Sequence, residues 1–307
     1  MKVLLFTHEQ DIDGLGCASL AETAKIEYKL VLSKTFELDE KINTTLDKED
    51  ISSYDKIIVT DLCPKEETLK MIAKDETLSK KFEVLDHHKT AEEFNCFDFV
   101  TVVSEEASIK ESGTSLFYKY LKNNNLIDRS DVLDEFVELT RQYDTWDWYK
   151  NKNYLARKLH IIFETQGIDF YLSMINRIIT SSNKVVLNEE EELIVAEFDR
   201  ILLEEINKML DIMIVETLNI KDNNFKVGYI KSLYKYRNDV ADVIKDNNKN
   251  DIDAIGMIME DRDSVSYRSI KDVDVSVIAE YFGGSGHKNA ASNPQDNENF
   301  KYILKLF

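Results

Sequence analysis

The chain has 307 residues, 43% of them hydrophobic and 32% charged, enough for a large core and more readily organised as two domains than as one. No apolar run approaches the ~18 residues of a membrane span, and MKVLLFTHEQ has too short an apolar run, with an acidic continuation, for a secretory signal. Asp and Glu outnumber Lys and Arg by 58 to 39, a formal net charge of −19, which speaks against a protein that grips long nucleic acid through a basic face.

A short anionic substrate stays open, because bound divalent cations invert the local field. Cys17, Cys63 and Cys96 are odd in number and form no CxxC pair, the usage of reduced thiols in a cytoplasmic protein.

In chain order, KVLLFTH (2–8), KIIVTDL (56–62) and KFEVLDHH (81–88) are short β-rich runs ending in polar or acidic residues, and NCFDFVTVV (95–103) reads as a fourth strand. GLGCASLAETAKI (14–26) and KEETLKMIAKD (65–75) read as the helices between them. This alternation predicts an α/β fold: a doubly wound, mostly parallel sheet whose strand ends open onto a crevice. From about 112 to 215 the pattern turns helical, in SGTSLFYKYLKNNN, VLDEFVELTRQYD and LNEEEELIVAEFDRILLEEINKMLDIMIVE. The last has no internal Gly or Pro and reads either as a spacer or as a core-packed helix. After about residue 220, FKVGYIKSLY, DAIGMIME and VSYRSI read as strands, and RNDVADVIKDN and VDVSVIAEYF as helices, the grammar of a second, smaller α/β domain.

Hard divalent ions favour carboxylate oxygens and imidazole nitrogens converging from rigid elements. THEQDIDG offers His8, Asp11 and Asp13, TDLCP offers Asp61, LDHHKT offers Asp86, His87 and His88, and RQYDTWDW offers Asp144 and Asp147. Singly, such an Asp more often caps a helix. Together they place three of the five histidines at strand ends. Near the other end, YFGGSGHKNAAS sets Gly283, Gly284, Ser285 and Gly286 before His287 and Lys288. Alone it reads as a helix C-cap with Gly283 just past the end; a phosphate approaching main-chain N–H groups is the alternative. Arg268 in VSYRSI is a further phosphate-binding candidate, with a surface ion pair as its default. Trp146 and Trp148 flank the Asp144 motif and could stack a base, packing being the expected role of at least one.

The order HxxDxDG, D, DHH, D, followed by GGSGHKNAAS, resembles the DHH phosphoesterases and their C-terminal DHH-associated domain. LTRQYDTWDW and LDHHKT are most similar to the bacterial nanoRNases, oligoribonucleases acting on the shortest RNA fragments. Many members read HxDxDG, so the two residues between His8 and Asp11 are a departure. The resemblance implies a DHH catalytic domain over 1–185, a helical linker over 186–220 and a substrate-binding domain over 221–307, with substrate in the cleft between domains. It implies two divalent ions, Mn²⁺ with Mg²⁺ or Co²⁺ as alternatives. His8 and Asp11 would bind one, Asp13, His87 and Asp144 the other, and Asp61 would bridge them. His88 would face the scissile phosphate and Asp86 would orient the motif. The implied substrates are short RNA and linear dinucleotides, in a cytoplasmic enzyme and possible homodimer that binds neither long nucleic acid nor membrane. A 3′-phosphoadenosine 5′-phosphate phosphatase, a cyclic dinucleotide phosphodiesterase and a non-enzymatic nucleotide sensor are the alternatives.

Overall fold

A computed structural model of the chain describes residues 1–233, 236–246 and 248–307. These form two compact units, Met1–Phe198 and Asp199–Phe307.

In the first unit, strands β1 (Lys2–His8), β2 (Glu27–Ser33), β3 (Lys56–Thr60), β4 (Phe82–Asp86) and β5 (Val100–Val102) form one sheet of order β2-β1-β3-β4-β5. Every pairing in it is parallel. A small hairpin, β6 (Glu105–Glu106) and β7 (Ile109–Lys110), follows. The helices are α1 (Ile12–Thr23), α2 (Leu38–Lys48), α3 (Glu66–Lys74), α4 (Glu76–Ser79), α5 (Gly113–Asn123), α6 (Asp131–Asp144), α7 (Asp147–Asn151), α8 (Tyr154–Gln166) and α9 (Ile168–Ser181). The helix α10 (Glu189–Asp211) begins in this unit and ends in the next.

Strand β1 shows why the sheet is covered twice. Its side chains alternate in direction, so Val3 and Leu5 enter a core with Leu15 of α1, Phe117 of α5, Phe136 of α6 and Tyr171 of α9. Leu4 and Phe6 enter a second core with Ile42 of α2 and Leu69 and Ile72 of α3. The chain leaves β1 for β2 on one side and then crosses to β3 on the other. The strand order therefore reverses between β1 and β3, and the carboxyl ends of strands at such a point open onto a crevice. His8 and Asp61 flank that opening.

The second unit has β8 (Ile214–Ile220), β9 (Asn223–Ser232), β10 (Ala254–Met259), β11 (Ser264–Ser269), β12 (Ser285–His287) and β13 (Ala290–Pro294) in one sheet of order β12-β13-β11-β10-β9-β8. Only β9 and β10 pair parallel. With α11 (Arg237–Asp246), α12 (Val275–Tyr281) and α13 (Lys301–Leu304), it closes a core of Val227, Tyr229, Tyr267, Ile278, Phe282 and Phe300.

Several elements depart from the sequence reading. Strand β2 and helix α2 have no counterpart in it: β2 is an edge strand with a charged, half-buried pattern, and α2 buries only Leu38 and Ile42. The stretch 95–103 is strand only at Val100–Val102. The long helix stops at Asp211, and the residues beyond it begin β8. That strand turns into β9 through Lys221 and Asp222, both at positive φ (50° and 62°), the backbone of a two-residue hairpin. The final residues of FKVGYIKSLY and RNDVADVIKDN, 234 and 247, lie outside the described residues.

Candidate metal centre

At the end of β1, Asp11 does two things at once. Its Oδ1 caps α1 by accepting from the Asp13 and Gly14 N–H groups at 3.1 and 3.0 Å. Its Oδ2 lies 2.7 Å from His8 Nδ1. The helix-cap reading thus holds for one oxygen and leaves the other to the crevice. Burial acts to raise the Asp11 pKa, but His8 and the two amides outweigh it and hold the carboxyl below its ordinary value. Burial likewise acts to lower the His8 pKa, and Asp11 raises it past that.

Asp13 is buried and anchored from elsewhere in the chain. Gly113 N–H donates to its Oδ2 at 2.6 Å, Thr114 N–H to its Oδ1 at 2.9 Å, and the Thr114 hydroxyl to its backbone carbonyl at 2.6 Å. These amides open α5, so the carboxylate sits at a helix N-terminus capped by Ser112. Asp61 follows β3 in a left-handed conformation (φ 58°), unusual outside glycine. A Cβ on Gly113 would fall 2.4 Å from that of Asp61, so no larger residue fits there. Ser112, Gly113 and Thr114 were not singled out as site residues from sequence. Their signal was present in the cap-and-glycine start of an amphipathic helix.

After β4, Asp86 is buried, and its Oδ1 accepts from the His87 and His88 N–H groups at 2.8 and 3.4 Å and lies 2.7 Å from His88 Nδ1. The hydrogen bond to Asp86 is the main reason the half-exposed His88 imidazole has its pKa pushed up to about 9. His87 turns inward, with Nε2 3.2 Å from Asp61 Oδ1 and 3.6 Å from Asp13 Oδ2, and Nδ1 3.6 Å from Asp144 Oδ2. Asp144 arrives as the last residue of α6.

Among the described residues, donor atoms collect in three groups, each within 4.8 Å: His8, Asp11 and Asp61; Asp13, His87 and Asp144; and Asp61, Asp86, His87 and His88. Asp61 lies in the first group and touches His87 of the second, so it faces both. Burial first, and then Asp13 and Asp11, drive the Asp61 carboxyl well above the carboxylate range. The same causes push Asp144 up to about 8. His8 Nε2 and Asp61 Oδ2 are buried and have no hydrogen-bond partner. Orphaned nitrogen and oxygen atoms beside carboxylates that resist ionising are groups that a cation would satisfy. The donor set of oxygens and imidazoles fits a hard or borderline divalent ion.

Asp147 is placed differently. It accepts from Arg141 Nη1 at 2.9 Å, and Arg141 is buried, also bonding Glu138 and the Lys110 carbonyl. In the second unit, Arg268 of β11 and His287 of β12 both stand opposite Ala290 of β13. Directly paired residues share a sheet face, so Arg268, Ala290 and His287 form one row with a small residue at its centre. Arg268 donates to Asn238 Oδ1 at 3.0 and 3.1 Å, and Lys288 pairs with Asp272 at 2.9 Å. Gly283 (φ 76°) ends α12, with its N–H on Glu280 O and that of Gly284 on Ala279 O, so the helix-cap reading holds at that residue. A Cβ on Gly284 or Gly286 would meet β13 backbone at 2.0 or 2.4 Å, so strand packing accounts for both small residues.

A model of the DHH family N-terminal domain matches residues 2–141. Over 300 residues the chain is 30% identical to oligoribonuclease NrnB of Bacillus subtilis (strain 168), covering 94% of this chain and 71% of that protein. The chain belongs to the DHH family. Among solved structures, the pGpG-specific phosphodiesterase PggH of Vibrio cholerae is similar in fold (TM-score 0.55, 12% identity, 99% of this chain and 97% of that one). The DHH domain of a member of a ribosomal-protein family is similar too (TM-score 0.58, 13% identity, 99% and 85%). DHH phosphoesterases are metal-dependent, and among the described residues the clustered Asp and His side chains form groups that could hold a metal ion.

Proposed function

We propose that the chain hydrolyses short oligoribonucleotides and linear dinucleotides to mononucleotides at a centre of two divalent cations, Mn²⁺ in the cell. The chain is a hydrolase of phosphate esters, and its kinship with an oligoribonuclease supports the substrate class. The observation that carries the reading is the pair of donor groups joined through Asp61, with His8 Nε2 and Asp61 Oδ2 buried and without a hydrogen-bond partner.

In this assignment His8 and Asp11 would hold one ion, Asp13, His87 and Asp144 would hold the other, and Asp61 would be shared by both. Four carboxylates (Asp11, Asp13, Asp61 and Asp144) balance the charge of two divalent cations. When bound, such ions supply Lewis acidity toward the phosphate and a water acidic enough to attack at neutral pH. The protein positions and protonates. Asp13 is anchored by the α5 amides, and Asp61 packs closely against Gly113 at the start of the same helix, so one element helps place both donors. His88, held by Asp86 with its pKa raised to about 9, presents a protonated imidazole able to hydrogen-bond a phosphate oxygen or donate to the leaving oxygen.

The functional division we adopt is 1–185 for catalysis, 186–220 as linker and 221–307 for holding substrate. In the last part Arg268 and His287, with Gly284, Ser285, Gly286 and Lys288 nearby, are assigned to the substrate's phosphate and sugar. The row that Arg268 and His287 share across β11, β13 and β12 supports this for those two residues. The three free cysteines support a cytoplasmic location. No helix among the described residues is long and apolar enough to cross a membrane. The test is turnover of labelled RNAs from dinucleotides to long single strands, with chelator and with Mn²⁺ restored. Activity greatest on the shortest RNAs and dependent on Mn²⁺ supports the reading; activity indifferent to chelator, or confined to long RNA, overturns it.

A further inference from the structure

We propose that Trp146 is the platform on which a nucleobase of the substrate stacks beside the metal centre, an inference that rests on the oligonucleotide substrate proposed above. Asp144 closes α6, and its Oδ2 lies 3.6 Å from His87 Nδ1. Trp146 follows by two residues, no more than about 7 Å of backbone away.

The two tryptophans have separate fates. Trp148 is 7% exposed, and its ring lies 6.1 Å from that of Tyr143 in a stacked arrangement. Trp146 is 50% exposed, its ring 6.0 Å from that of Trp148 and tilted by 34°. Tyr149 and Tyr154, also exposed, meet Trp148 edge-on at 5.7 and 6.3 Å. Buried Trp148 thus backs an aromatic surface that begins next to a candidate metal ligand.

The backbone argues that this exposure is built in. Trp146 sits at φ 64°, a region bulky residues avoid and asparagine or glycine enters at lower cost. Arg141 holds the turn, with Nη1 on Asp147 Oδ2 at 2.9 Å and on the Lys110 carbonyl at 3.1 Å, and Nε and Nη2 on Glu138 at 2.8 and 2.7 Å. Thr145 Oγ1 closes it by donating to the Arg141 carbonyl at 2.8 Å. An indole in a strained turn, half in water, stabilises the fold little for its size. A base laid on it would cover the exposed ring. In a chain of net charge −19, a π-face also offers a nucleotide an attraction that its phosphates do not oppose.

The experiment measures kcat and KM on a dinucleotide, and on its analogue lacking one base, for wild type, Trp146→Ala and Trp146→Phe. Stacking on an aromatic ring predicts that the Ala variant loses about 5- to 150-fold in kcat/KM on the dinucleotide, mainly through KM, and that Phe restores most of it. On the abasic analogue the wild type falls toward the Ala variant, so the ratio between them shrinks toward one. In a Trp148→Phe background, Trp146 is the sole indole, and its emission should be quenched by a dinucleotide with a non-hydrolysable methylphosphonate linkage. Unchanged dinucleotide kinetics in Trp146→Ala, equal losses on both substrates, or unquenched emission each overturn the proposal. Equal losses would mean that Trp146 acts only by shaping the Asp144 turn. A wild type that does not cut dinucleotides removes the substrate reading, and this inference with it.

Discussion

Removing cations from this protein should leave a fold that weakens as pH rises. Asp144 has its pKa pushed up to about 8 by burial and by Asp13 and Asp11, against an ordinary value of 3.8 for the free carboxyl. A folded-state pKa above the unfolded one contributes stability that is full below the unfolded value and is lost as pH rises through the folded value. Between about pH 5 and pH 6.5 the unfolded carboxyl is ionised and the folded one is protonated. Each pH unit then costs about 1.4 kcal/mol per group, or about 2 kcal/mol for Asp144 across that window. In a unit of this size that is a fall of roughly 4–8 °C in Tm. His88, whose pKa is also raised, stays charged in both states over most of the window and adds little. Asp61, shifted in the same direction, steepens the slope. Calorimetry in chelator should show this slope, Asp144→Asn should flatten it, and added Mn²⁺ should stabilise more at the upper pH, because binding displaces protons. A chelated protein whose Tm is flat or rises with pH over that window would refute a cluster kept partly protonated by burial and mutual repulsion.

Gly113→Ala should cost about 1–3 kcal/mol of stability and most of the activity, since the new methyl group must displace Asp61; thermal melts and turnover on the same samples check it. Arg268→Ala and His287→Ala should each lose about ten- to a hundred-fold in kcat/KM on dinucleotides, from one charge-assisted hydrogen bond, while Mn²⁺ binding measured by calorimetry stays as in the wild type. Arg141→Met should lower stability by about 1–2 kcal/mol, because the Lys110 carbonyl, Glu138 and Asp147 lose their shared donor while both carboxylates stay within reach of water; denaturant melts read this directly.

The parallel strands β1, β3 and β4 were legible because each is an unbroken apolar run ending in a chemically distinct residue. Strand β2 was not, since its alternating charges mark an edge that the sheet covers only partly. Strand β8 was hidden because no Gly or Pro separates it from the preceding helix; only the Lys221–Asp222 hairpin and its partner β9 define it. His8, Asp11, Asp13, Asp61, Asp86, His87 and His88 could be read as a constellation because all follow strand ends or the turn beyond one. The Gly113 and Thr114 amides on Asp13 lie 100 residues away in sequence, and no local pattern shows that they meet it. The exposure of Trp146 and the burial of Trp148 follow from the left-handed turn held by Arg141, which residue spacing does not reveal.

The central claim is that Asp61 joins the two donor groups into one catalytic centre. Asp61→Asn tests it with little disturbance, because asparagine keeps the shape and tolerates the left-handed backbone at φ 58°. The measurement is the single-turnover rate of dinucleotide hydrolysis with saturating Mn²⁺, for wild type and variant. The account predicts a fall of about three orders of magnitude or more, since the group acts only within the assembled centre. A variant hydrolysing at near the wild-type rate would contradict it.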